Sequence, residues 1–313
     1  MKILVTGAAG YIGSHVARLL QDENHEVIAL DSLIYGKREK LDQSIEFYQG
    51  TITDVAFIDS VVSRTKPEAI INIAGLKSVA ESQIIPNEYF SVNHKGAENL
   101  LNAAEANGVA YFVQSSTAAV YGGNQNSIVS ESDEAKAISP YGESKIFAEK
   151  AVSRSIARGN IRATSLRYFN VVGSLSPQFV EKTGENLVPI VIKGIHENKS
   201  PMIFGINYPT PDGSCVRDYV HVVDLANAHI AALSALKDIQ ISEAINIGTG
   251  KGYSVREVIS EIIMQMKSSL QPIESQPRTG DPAILVANIE RAKIELGFEA
   301  KFGLEEMINS SIW

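Results

Sequence analysis

Three glycines spaced G-x-x-G-x-x-G lie near the start of the chain, and they constrain its fold more than any other feature. They follow an apolar run, Lys2–Thr6, that predicts a strand, and they precede residues with a helical pattern. Gly7 allows a sharp turn after the strand, Gly10 allows the backbone to approach a pyrophosphate, and Gly13 allows close packing of helix on strand. The free N–H groups of that helix would face the anion. The pattern therefore predicts a phosphate-binding turn.

A carboxylate ends the second predicted strand. The apolar run Glu26–Leu30 is followed directly by Asp31. An acidic side chain there can accept hydrogen bonds from the ribose of an adenosine, and it would repel a 2′-phosphate. We therefore expect NAD rather than NADP as the cofactor, with a plain βαβ unit and a glycine-rich turn as the alternative.

Strand-like and helical segments alternate through the first half of the chain. The predicted strands are Lys2–Thr6, Glu26–Asp31, Ala69–Ala74, Tyr111–Ser116 and Ile161–Tyr168, and the predicted helices are Tyr11–Asp22, Val55–Arg64, Asn87–Asn107 and Tyr141–Arg158. This alternation is typical of an α/β fold of the Rossmann type, which is a doubly wound parallel sheet with helices on both faces.

The second half of the chain is less regular. Residues 170–215 are rich in Gly, Pro and Asn, whereas 223–250 has a helical run followed by a buried strand. We expect an NAD-binding Rossmann domain over 1–169, joined by 223–250, and a smaller C-terminal α/β substrate lobe over 170–313.

The composition argues against several classes of function. A formal charge of −8 at pH 7 argues against a general nucleic-acid surface. No apolar run approaches the ~18 residues of a membrane span, so no membrane association is expected. The single cysteine, Cys215, is expected to be a small packed residue, and it fits a reducing cytoplasm. The six histidines lack metal-ligand spacing, so no metal site is expected.

A Tyr-x-x-x-Lys pattern supplies candidate catalytic groups. Tyr141 and Lys145 are four residues apart on a predicted helix, so the phenol and the ammonium group share one face. A nearby cation and the positive nicotinamide ring would lower the pKa of the phenol, which could then act as general base or acid toward a substrate hydroxyl. Thr117 lies at the carboxyl end of a predicted strand, where catalytic groups collect, while Ser115 and Ser116 are expected to bond local backbone.

Longer motifs carry a family resemblance. They are Thr6–His15, Ala74–Ser82, Ser139–Lys145, Leu166–Gly173, Ile203–Gly213 and Val216–Leu225. With them the sequence resembles the extended short-chain dehydrogenase/reductase family over nearly its whole length, and within that family the nucleotide-sugar 4-epimerases.

The resemblance implies a complete set of site residues. It places Thr117, Tyr141 and Lys145 in the catalytic set. The implied cofactor contacts are Gly7, Gly10, Tyr11, Ile12, Gly13, Asp31, Ile52, Ala74, Gly75, Lys77, Asn93, Tyr141, Lys145 and Phe169. The implied substrate contacts are Thr117, Asn170, Asn186, Leu187, Phe204, Arg217, Arg278, Asp281 and Leu285. The planar fork of an arginine suits a diphosphate, which supports the two arginines independently.

The implied activity is NAD-dependent 4-epimerisation of a UDP-hexose, UDP-glucose to UDP-galactose, through a 4-keto intermediate. Epimerisation of another nucleotide sugar, a pentose or a uronic acid, is an alternative. A 4,6-dehydratase is a weaker one, because Ala118 and Ala119 follow Thr117 and cannot transfer protons. A non-catalytic NAD-binding regulator is a further alternative. The resemblance and the long helices Asn87–Asn107 and Tyr141–Arg158 predict a homodimer.

Four positions depart from the family pattern. Thr51 stands where the family has an aspartate that contacts the adenine, so NAD is expected to bind more weakly or through a replacement contact. Val171 replaces a proline beside the nicotinamide, and Ala119 replaces a frequent threonine near the sugar. Leu285 stands where some relatives have a bulky tyrosine, and we expect it to leave room for N-acetylated sugars such as UDP-GlcNAc and UDP-GalNAc.

Overall fold

The computed structural model describes residues 1–124, 126–181, 186–278 and 280–313. Its strands are β1 (Lys2–Thr6), β2 (Glu26–Asp31), β3 (Glu46–Gln49), β4 (Ala69–Asn72), β5 (Tyr111–Thr117), β6 (Ile128–Val129), β7 (Arg162–Tyr168), β8 (Asn170–Val172), β9 (Met202–Phe204), β10 (Val216–His221), β11 (Ala244–Ile247), β12 (Gly252–Ser254), β13 (Ile273–Ser275) and β14 (Ile284–Ala287). Its α-helices are α1 (Tyr11–Asp22), α2 (Val55–Thr65), α3 (Val79–Ile84), α4 (Pro86–Tyr89), α5 (Gly96–Ala106), α6 (Pro140–Ala157), α7 (Leu187–His196), α8 (Val222–Asp238), α9 (Val255–Gln265), α10 (Glu290–Leu296) and α11 (Leu304–Asn309). Among these described helices, none is both long and apolar enough to cross a membrane.

A seven-stranded parallel sheet forms the centre of the fold, in the order β11-β7-β5-β4-β1-β2-β3. Its strands are apolar on both faces, so that in β1 Ile3 and Val5 pack into one layer and Leu4 into the other. Helices α1 and α8 cover the first face, while α2, α5 and α6 cover the second. The predicted α/β fold with a doubly wound parallel sheet is confirmed.

One edge strand of that sheet comes from the second half of the chain. Helix α8 packs on α1, and β11 then pairs with β7, with Ala244 opposite Ser165. The chain therefore leaves the central sheet after β7 and later returns to it.

A second, smaller sheet begins where the strands of the central sheet end. Strand β8 starts two residues after β7 ends and pairs with β10, which also pairs with β12 and β14. Strand β6, which follows β5, completes this sheet beside β14. Helices α7, α9 and α11 pack around an apolar core that includes Ile192, Tyr219 and Ile259. The second sheet consequently lies at the carboxyl ends of β5 and β7.

Several elements differ from the sequence prediction. The expected helix Asn87–Asn107 consists of α4, a π-helical turn at Phe90–Lys95 and α5. Helix α7 lies in a segment that was expected to be irregular, because its β-branched residues, proline and glycine conceal the helical period. The short edge strand β3 was not predicted. The strand expected over Ala69–Ala74 ends at Asn72, because the chain there turns past the glycine-rich loop.

Candidate active site

The glycine-rich turn is closely packed against the end of β4. Gly7 has φ +65°, and a Cβ on it would lie 2.6 Å from the backbone nitrogen of Ala74. A Cβ on Gly13 would lie 2.0 Å from the carbonyl oxygen of Gly7, which explains the close packing of α1 on the turn. Gly10 begins α1 without a side-chain cap, and the first turn of the helix carries no acidic residue. The N-terminal N–H groups of α1 are therefore available for an anion.

Asp31 lies at the end of β2 beside this turn. Its side chain is 7% exposed, its Oδ2 accepts a hydrogen bond from the Ala9 N–H at 2.9 Å, and its Oδ1 accepts one from the Leu33 N–H at 2.8 Å. Each oxygen retains a lone pair for a ribose hydroxyl. Thr51 is exposed near the end of β3, and its hydroxyl bonds that of Thr53 at 2.9 Å. The turn, the helix end and this carboxylate together fit a dinucleotide such as NAD.

The other residues expected around the cofactor mostly build the walls of its site. Tyr11 donates its hydroxyl to the carbonyl of Gly173 at 2.6 Å, and Ile12 packs on the core under α1. The side chain of Ile52 is buried in the core on the other face of the sheet. Asn93, in the π-helical turn, accepts from the Leu76 N–H at 2.8 Å and donates to Ser144 Oγ at 3.0 Å. Asn93 thereby holds the loop that carries Gly75 and Lys77 in place without any contact from a cofactor.

The catalytic candidates meet where β5 ends and α6 begins. Ser139 caps α6 by accepting from the Gly142 N–H at 3.2 Å, which places Tyr141 in the first turn. Thr117, the last residue of β5, lies close enough to the Tyr141 hydroxyl for its side chain to act to lower the pKa of that phenol. The structure therefore brings Thr117 and Tyr141 together, with Lys145 one turn further along α6.

The ammonium group of Lys145 contacts β5. Its Nζ donates to the carbonyl oxygen of Ser115 at 3.1 Å and to the Ser115 hydroxyl at 3.2 Å. Burial lowers the pKa of Lys145 to about 8, while the negative charge of Glu149 opposes that shift. A Cβ on Gly75 would lie 3.2 Å from this Nζ, so the loop after β4 also reaches Lys145.

The expectation that Lys145 lowers the pKa of Tyr141 is not met in the chain by itself. Burial raises the pKa of Tyr141, and only the side chain of Thr117 opposes that rise. The ammonium charge is instead committed to the Ser115 oxygens. The role expected of Ser115 is also corrected, because its side chain bonds the ammonium group of Lys145 rather than local backbone.

A line of polar side chains crosses the sheet and leads to Ser115. Thr6 donates to Asn72 Oδ1 at 2.6 Å, and Asn72 donates to Gln114 Oε1 at 2.8 Å. Gln114 in turn donates to the Ser115 carbonyl at 2.8 Å, the same oxygen that accepts from Lys145. All these residues are buried in adjacent strands at matching register. The Ser115 carbonyl oxygen, which accepts a hydrogen bond from Lys145, is therefore also held in place by the hydrogen bond from Gln114.

A buried ion pair lies on the next turn of α6. Glu149 accepts from Arg167 Nε at 2.9 Å and from Arg167 Nη2 at 2.7 Å, and the hydroxyl of Ser116 also bonds this carboxylate. Arg167 also donates to the Tyr121 hydroxyl at 2.6 Å, which bonds Asn246 Oδ1 at 2.8 Å. The Glu149 side chain is 11% exposed and that of Arg167 8%. Sequence reasoning missed this pair, although a glutamate four residues after Lys145 was a usable signal.

Residues expected to bind the substrate line the second sheet. Arg217 and Leu285 are direct neighbours in the pairing of β10 with β14. Arg217 lies 3.7 Å from the carboxylate of Asp281. The guanidinium of Arg278 stacks on the ring of Phe204 at 4.3 Å. The predicted substrate residues therefore form two pairs, Arg217 with Asp281 and Arg278 with Phe204.

The remaining predicted residues connect this group to the catalytic end. Leu285 packs on the apolar cluster that contains Phe169 and Ala118. Asn170 is exposed at the start of β8 and lies opposite Tyr219 in the pairing of β8 with β10. Asn186 precedes α7, which starts at the half-buried Leu187, and donates to Glu181. Glu181 also forms an ion pair with Lys77, so it joins a predicted cofactor residue to a predicted substrate residue.

Comparison with known proteins identifies relatives over the full chain. The model of the NAD dependent epimerase/dehydratase family matches residues 3–248. A UDP-glucose 4-epimerase of Lacticaseibacillus casei is 37% identical over 317 residues, which is 100% of this chain and 96% of that protein. A UDP-glucose 4-epimerase of Streptococcus mutans is 39% identical over 324 residues, with coverage of 100% and 96%.

Solved structures show the same similarity. A UDP-glucose 4-epimerase of Stenotrophomonas maltophila with bound NAD and formylated UDP-arabinopyranose has a TM-score of 0.94 at 35% identity, covering 99% of this chain and 96% of that one. The UDP-Glc/GlcNAc 4-epimerase of Campylobacter jejuni has a TM-score of 0.89 at 32% identity, with coverage of 99% and 97%.

The buried ion pair gives a stability prediction. In Glu149→Gln the guanidinium of Arg167 stays buried and loses its counter-charge, so the free energy of unfolding should fall by about 3–5 kcal/mol. The control is Glu98→Gln, which breaks the more exposed pair with Arg154 and should cost less than about 1 kcal/mol. Urea unfolding of both variants measures the difference, and equal costs would contradict the assigned burial.

Proposed function

The chain belongs to the NAD dependent epimerase/dehydratase family, and we propose that within this family it is an isomerase that carries out 4-epimerisation of a UDP-hexose. The substrates are UDP-glucose and UDP-galactose, interconverted through a 4-keto sugar. The observation that carries this proposal is the meeting of Thr117, Tyr141 and Lys145 at the carboxyl edge of the sheet.

The acid–base step falls to Tyr141. The bound NAD would supply reversible hydride transfer at sugar C4, with no net oxidation of the sugar. Tyr141 takes the proton of the C4 hydroxyl and later gives one back, while Thr117 holds the same oxygen by a hydrogen bond. Burial raises the pKa of Tyr141 in the chain alone, so the phenol stays protonated until positive charge is brought near it. The Tyr141 phenol therefore keeps its proton until the positive charge of the cofactor is in place.

The residues proposed to hold the cofactor are those that shape its groove. The N-terminus of α1 with Gly7, Gly10 and Gly13 would receive the pyrophosphate, and Asp31 the adenosine ribose. The exposed hydroxyl of Thr51 is the proposed replacement for an adenine-contacting aspartate.

The UDP-sugar is proposed to lie over the second sheet. Arg217 and Arg278 would bind the diphosphate, and the stacking of Arg278 on Phe204 would orient its guanidinium. Leu285 would form the wall next to the sugar, because it lies on β14 beside the cluster that contains Phe169. We propose that this wall also admits the acetamido group of UDP-GlcNAc.

The division of the chain follows from these roles. We propose an NAD-binding domain over 1–169 joined by 223–250, and a UDP-sugar lobe over the remainder of 170–313, on the strand pairings described above. A reducing cytoplasm is the proposed compartment, since the single cysteine is buried and unpaired.

A homodimer is proposed from the helices on one face. Between α6 and the segment that contains α5, the rings of Phe90 and Phe147 are 5.7 Å apart and those of His94 and Phe147 are 5.2 Å apart. Phe90 and Phe147 remain half-exposed on this surface. A partly exposed apolar patch of this kind suits a two-fold interface, in which the same surface of each copy meets the other.

Removal of the phenol hydroxyl tests the proposed chemistry. Tyr141→Phe should lower kcat for UDP-galactose by about a hundredfold or more, because the acid–base group is lost, while NAD stays bound. The control is Tyr111→Phe at the opposite end of β5, which should retain full activity. Product sugars are separated after incubation, and NAD is measured in the released supernatant of denatured protein. Full activity in Tyr141→Phe would overturn the assignment.

The wall residue gives a specificity prediction. In Leu285→Tyr the larger ring should reduce kcat/KM for UDP-GlcNAc at least about tenfold relative to UDP-glucose, because the acetamido group loses its space. The control Leu285→Val keeps the space and should retain both activities. Parallel assays on the two sugars measure the ratio. Complete inertness of the unaltered chain toward UDP-GlcNAc would contradict the assignment.

Sedimentation tests the proposed dimer. The protein should sediment at twice the 33.9 kDa mass of the chain. Phe147→Glu introduces a charge at the proposed patch and should shift the population to monomer, whereas Lys237→Glu on α8, which covers the other face of the central sheet, should shift it far less. A purely monomeric unaltered chain at micromolar concentration would refute the interface.

A further inference from the structure

A second tyrosine ring lies beside the ring of Tyr141. The centroids of the Tyr89 and Tyr141 rings are 6.2 Å apart, and the rings meet edge to face at an interplanar angle of 79°. That distance and that angle are typical of a favourable aromatic pair. Tyr89 ends α4 and has no exposed surface, whereas Tyr141 is half-buried in the first turn of α6. The Tyr89 ring therefore packs against the Tyr141 ring from the interior of the protein.

The hydroxyl of Tyr89 is held by two hydrogen bonds. It accepts one from the N–H of Ser78 at 3.0 Å and donates one to Oε2 of Glu81 at 2.7 Å. Ser78 caps α3 by accepting from the Glu81 N–H at 3.2 Å, so both partners belong to the same helix end. A buried tyrosine bonded at the far end of its ring cannot swing away without leaving those groups unsatisfied. The position of the Tyr89 ring next to Tyr141 is therefore fixed.

The segment that starts at Tyr89 connects the loop after β4 to α6 at two points. Asn93, in the π-helical turn, accepts from the Leu76 N–H at 2.8 Å and donates to Oγ of Ser144 on α6 at 3.0 Å. Tyr89 makes the second connection between the same loop and the same helix. The two connections hold the loop on both sides of Lys77. The support behind the Tyr141 ring is thus part of a braced structure and not a single contact.

The backbone of Tyr141 is fixed by the start of α6, but its ring retains two torsions of its own. The Ser139 cap holds the first turn of the helix through the Gly142 N–H and leaves χ1 and χ2 of Tyr141 undetermined. On the interior side the Tyr89 ring limits these torsions, because a rotation toward it would drive two close-packed rings together. Proton transfer depends strongly on such placement, since an error of about 1 Å can cost about a hundredfold in rate.

We propose that Tyr89 is a positioning residue whose buried ring sets the orientation of the Tyr141 phenol. The inference rests on the proposed function, in which Tyr141 transfers the proton of the sugar. Tyr89 acts through Tyr141 and not on the substrate, because it has no surface open to a ligand. Loss of its ring should therefore change kcat far more than KM.

The test compares two substitutions that differ in whether a ring remains. Tyr89→Met fills most of the space with a flexible side chain, and it should lower kcat at least about tenfold while KM for UDP-glucose stays within about twofold. Tyr89→Phe keeps the ring and loses only the hydroxyl, so it should retain at least about a third of the kcat of the unaltered protein. Unchanged kcat in Tyr89→Met, or equal losses in the two variants, would overturn the proposal.

Nuclear magnetic resonance of the NAD-supplied protein with labelled tyrosine rings gives a readout that does not depend on turnover. A nuclear Overhauser cross-peak should join the ring protons of Tyr89 and Tyr141, assigned by its loss in Tyr89→Phe and Tyr141→Phe. The Tyr141 ring signals should move more in Tyr89→Met than in Tyr89→Phe. Absence of the cross-peak would overturn the proposal, even where Tyr89→Met does not fold. If the unaltered chain does not epimerise, the proposed function fails, yet these spectra still decide whether Tyr89 orients Tyr141.

A matched control separates this role from the loss of any buried ring. Phe112 is fully buried near the start of β5, in the core between the central sheet and the helices α2, α5 and α6. Phe112→Met should lower the melting temperature about as much as Tyr89→Met and leave kcat within about twofold of the unaltered protein. A loss of kcat in Phe112→Met equal to that in Tyr89→Met would assign the effect to weakened packing and would also overturn the proposal.

Discussion

A buried positive charge beside the end of β5 governs the construction of this site. The side chain of Lys145 has almost no contact with solvent, and removing an ammonium from water is costly unless hydrogen bonds replace the lost hydration. The chain supplies those bonds from a single residue, Ser115, through both its carbonyl and its hydroxyl. Contacts that hold Ser115 in position therefore also hold the ammonium group of Lys145 in position.

A buried line of polar side chains ends at Ser115. It runs from Thr6 through Asn72 and Gln114 to the Ser115 carbonyl, while the Ser115 hydroxyl accepts a hydrogen bond from Lys145. The line uses the property of a parallel sheet that its carboxyl ends lie along one edge, where successive strands can place polar groups side by side. The same edge that collects catalytic groups also collects the residues that orient them. Since these residues are buried and fully bonded, the geometry exists before any ligand arrives.

The sequence predicts the frame of the molecule well and the interior of the site poorly. The bounds of α1, β1 and β2 agree with those that the sequence pattern predicts, as does the parallel sheet. The pairing of Glu149 with Arg167 joins a helix to a strand, and no local pattern indicates which strand lies opposite which helix turn. A search for the 3.6-residue period of an α-helix does not detect the π-helical turn at Phe90–Lys95. That turn nevertheless places Asn93 next to the loop after β4. Propensity rules describe elements, whereas the site is made by contacts between elements.

The catalytic end and the proposed sugar wall are parts of one bonded structure. Asn246, on the returning strand β11, accepts from Tyr121 and donates to the carbonyl of Val129 on β6. Strand β6 pairs with β14, which carries Leu285, while Tyr121 connects through Arg167 to the pair beneath Lys145. A displacement of the wall would therefore strain a buried ionic network, and such networks resist partial rearrangement because each broken bond leaves an unsatisfied group. The return of the chain to the central sheet at β11 thus has a second consequence besides adding an edge strand. It holds the proposed sugar wall at a fixed distance from the groups proposed to transfer the proton of the sugar.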